Sequence, residues 1–119
     1  MKIIQNKWIN RYIPFPGFRA CNLFGILFVR GDAKLSDVTI NHEAIHTEQW
    51  KELWCIGFML WYAIEWTIRL FAFKGAHNAY RNISFEREAY AHQADLQYII
   101  TRERFAFIRY IRKKAQTNF

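Results

Sequence analysis

Apolar and polar positions change rhythm several times along the chain, and each change marks an element. Leu23-Phe24-Gly25-Ile26-Leu27-Phe28-Val29 is an apolar run rich in aromatic and β-branched residues, followed by Gly31-Asp32. It predicts one short buried strand ending in a turn. Ser36-Asp37 has the form of a helix start, a capping serine with an acid in the first turn. From there the spacing is helical as far as Phe73. A straight helix of that length would run about 55 Å, against about 30 Å for a compact domain of this size. The segment must therefore bend or break, and Cys55-Ile56-Gly57-Phe58 is the expected place because glycine weakens a helix. Gly75 and Asn78 punctuate a connection. Ser84, before Glu86, predicts the cap of another helix running to about Thr101, and a last amphipathic segment covers about Phe105 to Lys114. Ile13-Pro14-Phe15-Pro16-Gly17 cannot be helix interior and reads as an extended arm or turn. The expected fold is a single domain over residues 1–119, mainly α with a minor β element.

The longest apolar stretch, residues 53–73, is interrupted only by Glu65, Thr67 and Arg69. Its clean part, Leu53 to Ile64, falls short of the ~20 residues that span a bilayer. Glu65 and Arg69 are four apart and are expected to pair on one helix face. The stretch is therefore expected to be a core helix, with Trp50, Trp54, Trp61 and Trp66 packing in the core.

Composition supports a folded interior: 52% of the 119 residues are hydrophobic, which excludes disorder. Cys21 and Cys55 are the only cysteines, which excludes a disulfide scaffold and suits free thiols in a reducing compartment. The balance of 17 Lys+Arg against 10 Asp+Glu gives a net charge of +7. Lys2, Lys7, Arg11, Arg19 and Arg30 precede the first acid, and Arg102, Arg104, Arg109, Arg112, Lys113 and Lys114 crowd the other end. Basic residues interleaved with aromatics read as a solvated basic surface or as a peripheral contact with an anionic membrane. Nucleic acid is disfavoured, since no zinc-finger spacing, RNP-like motif or glycine-rich phosphate loop is present. Gln5, Asn6, Lys7 and Asn10 interrupt any secretory h-region. The expected location is cytoplasmic, with any membrane contact peripheral at the inner membrane.

The chemistry is carried by His42-Glu43-Ala44-Ile45-His46, an H-E-x-x-H motif inside a predicted helix. The i, i+4 spacing puts both imidazoles on one face, one turn apart, where they can grip one Zn²⁺. Glu43 lies about 100° around the helix from His42, placed to act as a general base without ligating the metal. A catalytic zinc needs a third protein ligand, and Glu86 and Glu88 compete for that role. Glu88, His92 and Asp95 share another face. His77 or Tyr80, in the connection before the Glu86 helix, can supply a donor to an oxyanion, and Tyr90, one turn after Glu86, can also reach the site.

H-E-x-x-H followed about 40 residues later by a Glu in E-x-x-A resembles the gluzincin metallopeptidase pattern, above all its membrane-associated branches. The resemblance implies that Glu86 is the third zinc ligand, that Ala89 is a small packing residue, and that the H-E-x-x-H helix packs on the Glu86 helix in a minimal gluzincin-like core. The family's following aspartate, which supports a histidine ligand, falls on Tyr90. The family's strand before the active helix, whose edge pairs with an extended peptide, falls on Phe24 to Val29. The longer text NHEAIHTEQ…YRNISFEREAY is also similar to a group of small bacterial proteins, a likeness that covers nearly the whole chain and brings no function with it. A zinc site completed by Glu86 is incompatible with a single membrane pass of residues 53–73, which would put Glu86 on the far side. Two functions follow: a zinc-dependent hydrolase, foremost a peptidase acting on a peptide or protein, or a non-catalytic protein that is stabilised by metal or acts at a membrane surface.

Overall fold

The structure is a computed structural model and describes residues 1–11 and 19–111; the arm predicted at Ile13–Gly17 and the basic run after Ile111 lie outside the described residues. A three-stranded sheet, ordered β1-β3-β2, precedes the helices. β1 (Lys2–Asn6) runs parallel to β3 (Ile26–Arg30), and β2 (Ala20–Leu23) pairs with β3 antiparallel. The helices are α1 (Asp37–Glu52), α2 (Ile56–Ala72), α3 (Ala76–Arg81), α4 (Ser84–His92) and the short α5 (Tyr98–Thr101), with 3₁₀ turns at Lys7–Arg11 and Ala106–Tyr110. The mainly α fold with a minor β element is thus observed.

The predicted single strand over Leu23–Val29 is instead a hairpin. Leu23 pairs with Ile26, so Phe24-Gly25 is a two-residue turn, with φ of +56° and +81°. Such turns need left-handed backbone, which Gly25 adopts without strain. The turn sits on α1: the Thr47 hydroxyl donates to the Gly25 carbonyl (3.0 Å), and a Cβ at Gly25 would lie 3.4 Å from Thr47 Cγ2. Paired with β1 on one side and β2 on the other, β3 lies in the middle of the sheet. The edge beside α1 therefore belongs to β2 and not, as expected, to Phe24–Val29.

Ser36 caps α1 as predicted, its Oγ accepting from the Thr39 N–H at 3.2 Å. The long helical stretch breaks at Leu53–Cys55, and the two halves diverge by 112°. Trp54 and Cys55, both at φ +57°, carry the reversal. Gly57 lies just inside α2, where a Cβ would meet Leu53 Cβ at 3.3 Å, so the glycine permits the close corner.

The corner folds one face of α2 onto α1 and α4. Trp50, Phe58, Ile83, Phe85 and Phe107 form the buried cluster, with Trp61 and Tyr62 partly buried against it. The expectation of a core helix fails for the rest of α2: only Phe58 and Glu65 are buried. Trp54 at the corner is 86% exposed and Trp66 is also exposed, so two of the four tryptophans leave the core.

Ser84 does not cap α4. It is the first helical residue, and both its N–H and its hydroxyl donate to the Glu65 carboxylate (2.6 Å each), which caps the helix from α2. Glu65 also accepts from Trp61 Nε1 and pairs with Arg69 at 3.3 Å, as the spacing predicted. The connection at Gly75–Asn82 contains the α3 turn. The helix expected to reach Thr101 stops at His92, where the Asn41 amide of α1 donates to the carbonyls of His92, Gln93 and Asp95.

Candidate metal centre

α1 and α4 pack so that the H-E-x-x-H face meets Glu86. His42, His46 and Glu86 are all buried, and one ligand atom from each lies within 4.8 Å of the others. His42 Nε2 and His46 Nε2 are 3.1 Å apart and stand 3.2 and 3.1 Å from Glu86 Oε1. Glu88, the competing acid, is also buried but faces the other way. It bonds to Arg102, Tyr98 and Gln49, so it is an ion-pair partner in the interior. His92 accompanies it there, stacked on Tyr98 and bonded to the Tyr110 hydroxyl (2.6 Å).

A glutamine oxygen faces the Nδ1 of each histidine. The Gln49 amide donates to the Phe85 carbonyl (3.1 Å) and to Glu88 Oε1 (3.0 Å). Both are acceptors, so the Gln49 Oε1 must be the atom facing His46 Nδ1 at 2.7 Å. Nδ1 therefore carries the hydrogen, and the neutral ring presents a bare Nε2 lone pair to His42 and Glu86. Gln93 Oε1 faces His42 Nδ1 at 2.8 Å, and an N–H donated there leaves the His42 Nε2 bare as well. Two imidazole lone pairs and a carboxylate then converge in a buried space, an arrangement that repels itself unless a cation, proton or metal, lies between them. This donor set, two nitrogens and one carboxylate oxygen, suits zinc.

The electrostatics agree. Burial alone would push the His46 pKa down, but the charge and hydrogen bond of Glu86, helped by Glu43 and Gln49, raise it to about 9. Burial would raise Glu86; the two histidines outweigh it and hold the carboxyl well below the usual range. Both shifts favour a proton on His46 shared toward Glu86 when no other cation lies between the groups.

Glu43 is partly buried and points into a neighbouring cavity of about 910 Å³. Burial raises its pKa, against the pull of His46 and His42. His77 and Tyr80, the predicted oxyanion donors, line the same cavity from α3, and Tyr90 lines it from α4. The Tyr90 ring packs edge-on to His42 (4.4 Å between centroids), and Gln93 is the hydrogen-bond partner of that histidine's Nδ1. The Arg81 guanidinium lies 3.4 Å over the Tyr90 ring, a cation–π contact. Tyr62 of α2, Gln49, Gln93 and Asn22 were not foreseen. Tyr62 donates to Glu86 Oε2 at 3.1 Å, and Asn22 of β2 donates to the Glu43 carbonyl at 3.0 Å. Gln49, one turn past His46, was the one with a local signal.

Comparison with known proteins finds no matching family model, and neither a curated relative nor a solved structure matches significantly. The gluzincin likeness thus rests on the sequence motifs alone, and the structure adds a His42–His46–Glu86 cluster that could hold a metal ion.

Proposed function

We propose that this protein is a minimal zinc-dependent peptidase of gluzincin-like construction, with His42, His46 and Glu86 as the ligands. The reading is carried by one observation: Glu43, beside the ligand cluster, opens into the large cavity while the ligands themselves are buried. A purely structural metal needs neither the acid nor the cavity. Bound there, Zn²⁺ would supply a Lewis acid for attack of water on a carbonyl. Glu43 accepts the water's proton and returns it to the leaving amine; the raised pKa makes it a stronger base. Tyr80 and His77 face the same space as hydrogen-bond donors for the developing oxyanion. Burial and the charge of Glu86 push the Tyr80 hydroxyl pKa far up, so it stays protonated across the working range.

The substrate enters as an extended chain. Arg19 and Ala20 line the cavity at the start of β2, and among the described residues β2 pairs only with β3. Its outer edge offers unpaired backbone groups to a peptide strand. Glu43→Gln tests the mechanism. Metal content should remain at the wild-type level while hydrolysis of a quenched peptide library disappears. Turnover surviving in the variant would defeat the assignment of the base. Absence of turnover in a zinc-loaded wild type would leave the metal a folding role.

A further inference from the structure

The bend at Leu53–Cys55 leaves α2 with one face on the molecule and one face outside. Phe58 and Glu65 are buried, and Trp61, Tyr62 and Arg69 flank them. At 100° per residue, Ile56, Met59, Leu60, Ile64, Leu70 and Phe71 fall on the opposite side, with exposures from 44% to 89%. Thr67 is the polar residue among them, and its hydroxyl is turned back onto the Ala63 carbonyl (2.7 Å). The two charges of the helix, Glu65 and Arg69, are paired with each other and held inward by Ser84 and the Ile111 carbonyl. The outer face is therefore apolar and uncharged over about 25 Å, more than scattered surface hydrophobics account for.

We propose that this face docks on an anionic lipid bilayer, with α2 lying in the interface plane. The charge around it selects the occupant. Leu60, Ile64 and Ile68 line a mainly apolar groove with Ile111, the paired Glu65 and Arg69 forming its inner wall, and in the sequence Arg112-Lys113-Lys114 follows Ile111. Exposed Lys74 follows the C-terminal end of the helix, the end where Arg69 meets the Ile111 carbonyl. A second copy seated face to face would bring together two chains of net charge +7 each, which repels. Acidic headgroups neutralise that charge while the acyl boundary takes the apolar side chains. No single described helix is long and apolar enough to cross a membrane, and the bent α1–α2 pair that could by length and composition carries the buried His42 and His46 on α1; α2 is therefore placed along the surface. Trp66, on the flank of the same helix, lines the cavity that holds Glu43; docking would open that cavity beside the lipid headgroups. The docking is independent of the metal reading.

The test is flotation of the full chain with vesicles of phosphatidylcholine and phosphatidylglycerol, and with phosphatidylcholine alone. The protein should float with the mixed vesicles, less so in high salt, and hardly with the neutral ones. Leu60→Glu with Ile64→Glu should weaken binding at least about tenfold, with unchanged circular dichroism and zinc content. Phe71→Glu, at the most exposed position of the face (89%), should also weaken it and serves if the double variant fails to fold. Absence of wild-type binding to the mixed vesicles, or undiminished binding by a folded variant, would overturn the proposal. So would a wild-type dimer in solution that the variants convert to monomer, because a second copy would then cover the face.

Discussion

Replacing Gln49 with methionine asks whether the histidines are held by the network behind them. Methionine keeps the shape of this fully buried side chain and removes its polar atoms. His46 Nδ1–H loses its 2.7 Å partner, and the Phe85 carbonyl and Glu88 each lose one donor. The orphaned imidazole N–H costs about 1–3 kcal/mol and the two lost bonds about 0.5–1.5 kcal/mol each. The metal-free protein should lose about 2–6 kcal/mol in urea unfolding. Glu88 keeps Arg102 and Tyr98, so the damage stays local and the fold survives a typical stability of about 5–15 kcal/mol. His46 is then free to rotate or to switch tautomer, and zinc affinity should drop about 10–100-fold. Competition against a chromophoric chelator measures that directly. A destabilised variant whose zinc affinity stays within about twofold of wild type would show that Gln49 only packs the interior, and the positioning argument would fall.

Glu65→Ala should cost about 3–5 kcal/mol, because it strands the Arg69 guanidinium and uncaps the Ser84 N–H of α4; a loss under about 1 kcal/mol in urea would mean the buried pair contributes little. The metal-free protein should also show a stability maximum on the acid side of neutral. His46, raised from 6.5 to about 9, contributes stability that is complete below about 6.5 and is lost as pH climbs through 9. Glu86, held low, contributes stability present above its ordinary 4.5 and lost as the solution is acidified further. Zinc removes the alkaline limb by displacing the His46 proton, so urea midpoints of the zinc-loaded protein should stay level from pH 6.5 to 9. A metal-free protein equally level across that range would contradict the proton-holding cluster.

Local chemistry made part of this molecule readable. The Ser36 cap, the H-E-x-x-H face, the Glu65–Arg69 pair and the need for a corner near Cys55 all depend on residues within a few positions of one another. Glu86 was narrowed to one of two acids by spacing, and a resemblance singled it out; packing of α4 on α1 brings it to the histidines. What escaped depended on contacts distant in sequence. The end of α4 at His92 is made by Asn41, some fifty residues earlier. The cap of the same helix comes from Glu65 on α2. Tyr62 reaches Glu86 only because the chain turns 112° before α2. The hairpin was hidden because Phe24, an aromatic that favours strands, occupies a left-handed turn position. β1 escaped because Lys-Ile-Ile-Gln-Asn lies mostly exposed on an edge and carries no clean alternation. The apolar pattern of α2 was plain, but the number of its faces that the rest of the chain covers is a property of the whole fold.

The most direct test of the central claim is bound metal per chain in protein purified without a metal-binding tag, beside the Glu86→Ala variant. The account predicts about one zinc ion per wild-type chain, sharply reduced when Glu86 is removed. A wild-type chain that takes up no zinc even after incubation with the ion would contradict it, leaving His42, His46 and Glu86 a protonated polar cluster in the interior of the protein.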